Sequence, residues 1–270
     1  MKIITWNTAG RTKKIPEQWE HIQALNADIV CLQEVQQGGD AKWMDCLKSA
    51  YEYVLSSHDF EPNRSKTGPR KYHLIIASNI PMELDAKSSG FVPWVERLMV
   101  VRLKHSNLRI ATTHIPPGVS NGWKKIEFFE GLFKLIDQHK TILTGDFNSP
   151  RYELDDGTTV TWGQRMNAKG EVKQRALING KDGRRWHEGE YQLLRGIEHI
   201  QYKDFFRDIN GNTHAFSWRA TSNREIVYRF DHTIGPSEVR VQSSRYDLSV
   251  LDKKLSDHAL MISEFGVGLG

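Results

Sequence analysis

Five strand-like runs, scattered over more than two hundred residues, each stop on a polar group: Trp6–Asn7, Gln33–Glu34, Thr113–His114, Gly145–Asp146 and Phe230–Asp231. Rigid strands that end together are one way for distant segments to present side chains to a common site. Some of the runs alternate and others are continuously apolar. That mixture predicts mixed sheets with helices packed outside, an α/β (α+β) fold class. A chain of 270 residues can bury a sizeable core as one large domain or two small ones.

The strands expected before residue 115 are Lys2–Trp6, Asp28–Glu34, Tyr51–Ser57, Lys71–Ser78, and an antiparallel pair Arg97–Leu103 and Leu108–Thr113 turned at Lys104–Asn107. Later ones are Thr141–Thr144, Ala215–Trp218, Tyr228–Ile234, Glu238–Tyr246 and Ala259–Phe265. Helical spacing marks Pro16–Asn26, with Trp19, Ile22 and Leu25 on one face, and Asn121–His139, with Ile126, Phe129, Phe133 and Ile136. Ala41–Ala50 and Glu190–Gln201 also read as helices, and the polar, Gly-rich stretch 149–189 as long loops.

Composition narrows the classes. Apolar runs such as Leu74–Ala77 and Leu98–Val101 are too short to span a bilayer. The start, MKIITWN, lacks the apolar core of a secretory leader. Cys31 and Cys46 have no metal-ligand spacing, so a zinc site is not expected and a reducing, cytoplasmic setting fits. The net charge of +4 permits a polyanionic substrate without demanding one. Its distribution says more: residues 163–188 carry Arg165, Lys169, Lys173, Arg175, Lys181, Arg184 and Arg185 against Glu171, Asp182 and Glu188. A second basic stretch is Arg64, Lys66, Arg70 and Lys71. Each stretch also reads as an ordinary solvated loop.

Candidate chemistry sits at the strand ends. In GDFNSP, Asp146 and Asn148 can point the same way from an extended segment, a carboxylate and an amide able to orient one water; the same residues also suit an Asx-turn. In RFDH and SDH, Asp231 can accept Nδ1–H of His258, fixing its tautomer and raising its pKa. Glu34, ending an apolar strand, needs a positive partner, and a hard divalent cation would serve, with Asn7 offering a neutral oxygen. His114, stiffened by the following Ile-Pro-Pro, can donate to a phosphate oxygen or leaving group.

Taken in order, TWN (5–7), LQE (32–34), TTHIP (112–116), TGDFN (144–148), RFDH (229–232) and SDH (256–258) resemble the endonuclease/exonuclease/phosphatase superfamily. The resemblance covers nearly the whole chain. It implies a four-layer, DNase-like sandwich, two mixed sheets face to face with helices outside, as a single domain 1–270 with a loop-rich insertion around 149–189. It also implies roles for matching residues. Glu34 would be the principal Mg²⁺ ligand (Mn²⁺ a possible substitute), helped by Asn7 and Asp257. Asp146 with Asn148 would direct the attacking water, Asp231–His258 would neutralise the phosphate, and His114 matches a histidine of the DNase-like and phosphatase branches.

Two departures argue against a standard abasic-site enzyme: His114 stands where those relatives carry tyrosine, and Thr8-Ala9-Gly10 follows the first asparagine in place of Asn-Gly or Asp-Gly. Phe216, Trp218, Tyr228 and Phe230 fall near the sugar pocket of those enzymes, with at least two expected to be core. A DNA nuclease, or an RNA nuclease, is the leading expectation. Arg165, Trp218, Tyr228 and Phe230 are the substrate contacts, Trp162 and Trp186 are further aromatics for stacking, and no stable protein partner is implied. The alternatives are a phosphoesterase acting on a phospholipid, inositol phosphate or other small ester, and a catalytically inactive nucleic-acid-binding module.

Overall fold

The continuously apolar runs are buried on both faces because they are sandwiched twice. In the computed structural model, which describes residues 1–60, 71–104 and 106–266, they form two six-stranded mixed sheets. The first runs, in spatial order, Arg240–Asp247, Leu260–Gly266, Lys2–Asn7, Ile29–Gln36, Tyr72–Ser78 and Tyr53–Ser56. The second runs Tyr202–Asp204, Asp231–Pro236, Thr141–Asp146, Arg109–His114, Leu98–Leu103 and Met82–Leu84. Alternate residues of each strand go to opposite sides. Ile3, Ile29 and Cys31 meet Met99, Ile110 and Ile142 between the sheets, while Ile4, Val30 and Leu32 face outward to Trp43 and Ile22. Beyond the second sheet, Val100, Ala111 and Leu143 pack against Phe129, Leu132 and Leu193. The three apolar layers make the four-layer sandwich expected, and each large side chain so buried contributes about 1.5–3 kcal/mol. No helix of the described residues is long and apolar enough to cross a membrane.

The helices depart from expectation at their ends, for local reasons. The first, Ile15–Leu25, takes Pro16 in its first turn and stops where Asn26 adopts a left-handed conformation, φ 49°. Lys124–Gln138 starts three residues later than the apolar spacing suggests, because Gly122 at φ 53° separates it from a short turn at Gly118–Asn121. Its buried face is wider than one stripe and includes Phe128, Leu132 and Leu135, since it packs on both the sheet and the next helix. That next helix spans Gly183–Leu194, seven residues ahead of the expected start. Asp182 caps it by accepting from the Arg184 N–H, and Trp186 and Glu190 are buried on its inner face. The stretch read as loops holds three short hairpins: Tyr152–Glu153 with Thr159–Val160, Gln164–Met166 with Val172–Gln174, and Leu177–Ile178 with Lys181–Asp182. Arg64, Lys66 and Arg70 lie outside the described residues.

Candidate active site

Strand register brings the polar ends together. Asp146, last residue of its strand, stands opposite His114 in the parallel neighbour and opposite Asp231 in the antiparallel neighbour. The glycine before it is required: at φ 133°, a Cβ on Gly145 would lie 2.1 Å from the Thr113 carbonyl oxygen. From the other sheet, Asn7 Nδ2 donates to Asp146 Oδ2 at 2.9 Å, while Asn7 Oδ1 accepts the Ala9 N–H at 2.9 Å. The Asx-turn open to GDFNSP is present: the Asn148 N–H donates to Asp146 Oδ1 at 2.8 Å. The Asn148 amide then donates to Asp146 Oδ2 at 3.2 Å and to the Ile115 carbonyl at 2.9 Å. Asp146 is thus gripped by two amides and turned toward the cleft.

His258 and Asp231 pair as expected, Nδ1 to Oδ2 at 2.9 Å, leaving Nε2 facing Asp146 Oδ2 at 3.8 Å. Several bonds hold this segment. Ser256 Oγ donates to the Asn7 carbonyl at 2.7 Å, and Trp6 Nε1 donates to the His258 carbonyl at 2.9 Å. The Phe230 and Asp231 N–H groups both donate to Ser217 Oγ at 2.9 Å. Glu34 does not end its strand. The strand runs on to Gln36, and Glu34 occupies a bulge between Leu32 and Val35 with φ 52°. A non-glycine residue rarely adopts that conformation, and such strain concentrates at functional sites. The bulge puts Glu34 Oε1 3.4 Å from His114 Nε2. Asp257, half-buried on the cleft wall, accepts from Trp218 Nε1 at 3.2 Å.

Burial and charge shift these groups apart. For His258, burial works against protonation, but Asp231 and Asp146 outweigh it and hold the imidazolium up to about 10. Burial raises Asp146 toward about 7; His258 opposes that, and the Asp231 and Glu34 charges add to it. Burial also raises Glu34, with His258 pulling the other way. His114 falls well below its ordinary value through burial, then through the charges of Arg97 and His258. Arg97 Nη1 lies 2.9 Å from His114 Nδ1. A guanidinium can only donate, so Nδ1 is the acceptor and the neutral ring carries its proton on Nε2, toward Glu34 and Asp146.

Two sets of ligand atoms each lie within 4.8 Å of one another: Glu34, His114 and Asp146; and Asp146, Asp231 and His258. The charges of Asp231, Asp146 and Asp257 all act on His258, and Asp231 Oδ1 is buried with no hydrogen-bond partner among the described residues. In the set containing Glu34, which faces the cleft, the carboxylate oxygens of Glu34 and Asp146 fit a hard divalent metal ion, while His114 presents Nε2–H and is not a ligand.

The cleft above these residues encloses about 870 Å³. Tyr228 stacks against Phe230 and against Trp218, with centroids 4.9 and 5.7 Å away, those two rings lie 5.6 Å from each other, and Trp162 tilts against Tyr228 at 5.7 Å. Phe230 is buried and Phe216 packs on the core, the two of four expected there. Arg165, expected as a substrate contact, lies exposed on the hairpin Gln164–Met166, while Arg175 lines the cleft. One sequence expectation needs correction. Trp186 is no exposed stacking surface, being buried against Trp123, Ile126 and Ile178. Two residues were missed. Arg97 and Lys125 line the cleft, and Lys125 Nζ donates to the Asn148 carbonyl at 2.6 Å and pairs with buried Glu190 at 3.0 Å. The signal was available in part: a lysine among Ile126, Phe128 and Phe129 on a buried helix face needs a partner.

The sequence profile described as the Endonuclease/Exonuclease/phosphatase family matches residues 4–258. A DNA-(apurinic or apyrimidinic site) endonuclease of Dictyostelium discoideum is 24% identical over 98% of this chain. The chain spans 66% of that protein, just under two thirds of its length. Two solved structures share the fold across 99% of this chain and 100% of their own. One is the 3′ phosphatase NExo from Neisseria bound to a product DNA hairpin, at TM-score 0.69 and 19% identity. The other is an AP endonuclease from Archaeoglobus fulgidus, at TM-score 0.70 and 17% identity.

Proposed function

We propose that this chain, which belongs to the endonuclease/exonuclease/phosphatase family, is a divalent-metal-dependent phosphodiesterase whose substrate is nucleic acid, DNA foremost. The observation that carries this reading is the setting of Asp146. It stands between His114 and His258 at the floor of a cleft walled by stacked aromatics and by Arg97, Lys125 and Arg175.

Glu34 would hold the cation, with Asp257 and Asn7 beside it and Mg²⁺ the ion of choice. When bound, it would supply positive charge to the phosphate oxygens and the departing oxygen. The protein's own groups do the rest. Asp146, held by Asn7 and Asn148 and titrating near neutrality, aligns a water and accepts its proton at Oδ2. His258, kept as imidazolium by Asp231, binds a phosphate oxygen through Nε2–H. His114, neutral and oriented by Arg97, donates its Nε2–H to the same phosphate. These are preorganised donors that cost no reorganisation during reaction.

Turnover of end-labelled single-stranded, duplex and abasic-site DNA and of RNA, with Mg²⁺, Mn²⁺ or EDTA, tests the proposal. Cleavage is expected with either metal and none with EDTA. Undiminished cleavage in EDTA would remove the metal. Hydrolysis confined to small phosphoesters or phospholipids would remove the nucleic acid.

A second outcome concerns pH. Because Asp231 keeps His258 protonated up to about 10, the alkaline limb of kcat against pH should lie near that value. In Asp231→Asn the charge is gone, the His258 pKa drops, and the limb should move toward neutrality. Superimposable alkaline limbs would break the assigned pairing.

A further inference from the structure

The hairpin Gln164–Met166 with Val172–Gln174 carries a feature that packing does not explain. Arg165 and Lys173 are directly opposed across its strands. Like charges at facing positions repel, which disfavours the hairpin. Both are exposed, and among the described residues no carboxylate lies within ion-pair distance of Arg165, while Lys173 has only exposed Glu171 at 3.4 Å. Side chains alternate along a strand, so Arg175, two residues beyond Lys173, shares the face of the opposed pair. The ladder continues to that point, since the Arg175 N–H donates to the Gly163 carbonyl at 3.0 Å. Arg175 lines the cleft. A basic row therefore leads from the cleft outward, from Arg175 to Lys173 roughly 7 Å on at two residues of strand rise, with Arg165 beside Lys173 across the hairpin.

The base of the hairpin is fixed in place. A Cβ on Gly183 would lie 2.1 Å from the Arg175 carbonyl oxygen, and one on Gly163 would lie 2.5 Å from the His187 amide nitrogen, so the strands sit directly on the helix Gly183–Leu194. Gln174 Nε2 and Arg151 Nη1 add hydrogen bonds to the Gly163 and Gln164 carbonyls at 2.8 and 3.2 Å. The basic row thus keeps a set distance from Asp146.

We propose that this hairpin is a backbone-tracking arm. Arg175, Arg165 and Lys173 engage successive phosphates of the strand that flank the reactive one, so the protein selects long polynucleotides over short phosphoesters regardless of base sequence. The inference rests on the reading that the substrate is nucleic acid. The pairing of like charges is what a polyanion relieves, and contacts of this kind are read through salt dependence.

The test is the double substitution Arg165→Gln/Lys173→Gln, compared with the unmodified protein on a 20-nucleotide strand and a dinucleotide of the same composition. Two phosphate contacts fewer should lower the slope of log affinity against log salt by about 1.4 on single strands, or about 1.8 on duplex. The preference for the long substrate, as a ratio of kcat/KM values, should fall by roughly tenfold at moderate salt. The thermal midpoint should hold or rise, because a repulsion is removed; a structural role would lower it. An unchanged slope with an unchanged length ratio overturns the arm while leaving a nuclease in place. If the unmodified protein cleaves no polynucleotide and turns over only small esters, the substrate reading itself falls and the arm falls with it.

Discussion

Replacing Asp146 by asparagine is expected to lower metal-supported cleavage of DNA by at least about 10²–10³-fold while leaving DNA binding and the folded state in place. The change removes one charge and no volume. Asn7 and Asn148 still hold the side chain's position, although their amides would now meet an amide where they met a carboxylate oxygen. What disappears is the group able to take a proton from water beside His258. Binding measured with a labelled strand, and folding by circular dichroism, should stay close to those of the unmodified protein. Near-normal turnover would take the proton-accepting role away from Asp146.

Arg229→Met is expected to be the most damaging single change for stability outside the apolar core. Arg229 is buried just behind the site, two residues before Asp231. It donates to both oxygens of Glu153, at 2.7 and 2.8 Å, and to Asp204 at 2.8 Å. Arg207 also donates to Glu153, and His232 Nδ1 lies 3.2 Å from Asp204. Removing one member of a buried ionic network leaves others uncompensated, at about 3–5 kcal/mol. For a chain of this size that is a fall of roughly 6–20 °C in thermal midpoint.

The pH dependence has a definite sign. Burial would raise the Glu153 pKa, but Arg229 and Arg207 outweigh it and hold it down at about 2, against an ordinary 4.5. Burial opposes ionisation of Asp204 as well, yet Arg229 and His232 carry it far below the carboxylate range. A depressed folded-state pKa gives stability that is fully present above the ordinary value and is lost as pH falls through the folded value. The unmodified protein should therefore lose stability from about pH 4.5 down to pH 2. In Arg229→Met that dependence should flatten and the gap between the two proteins should narrow in acid. Denaturant titrations at pH 7, 4 and 3 give the comparison, and parallel acid profiles would refute the network's role.

The strand ends were legible because they follow a local rule: an apolar run, then a polar group. Asp146, His114 and Asp231 needed only that pattern and their order along the chain to be placed together. Asn148 and His258 came with them, each in a short motif next to a strand. Glu34 was readable as a residue but not as a bulge, since the left-handed turn that aims it depends on strands pairing across Leu32 and Val35. Arg97 and Lys125 were missed because their partners, His114 and Glu190, are distant in sequence and only the fold makes them neighbours. Arg165 was named a substrate contact from charge alone, and strand alternation, which decides where it points, was not readable in a stretch taken for loop. The same stretch hid the helix beginning at Gly183, whose polar outer face conceals Trp186 and Glu190.

The order of strands in the first sheet bears on when such a site can exist during synthesis. Lys2–Asn7 lies between Ile29–Gln36 and Leu260–Gly266, a strand translated more than 250 residues after it. Its far edge stays without that partner, and His258 stays away from Asp231, until more than 250 residues have left the ribosome. Contacts so distant in sequence form late and slowly. The groups proposed to act on a phosphodiester therefore come together only after translation has passed residue 258, and no shorter stretch of the growing chain holds the complete site.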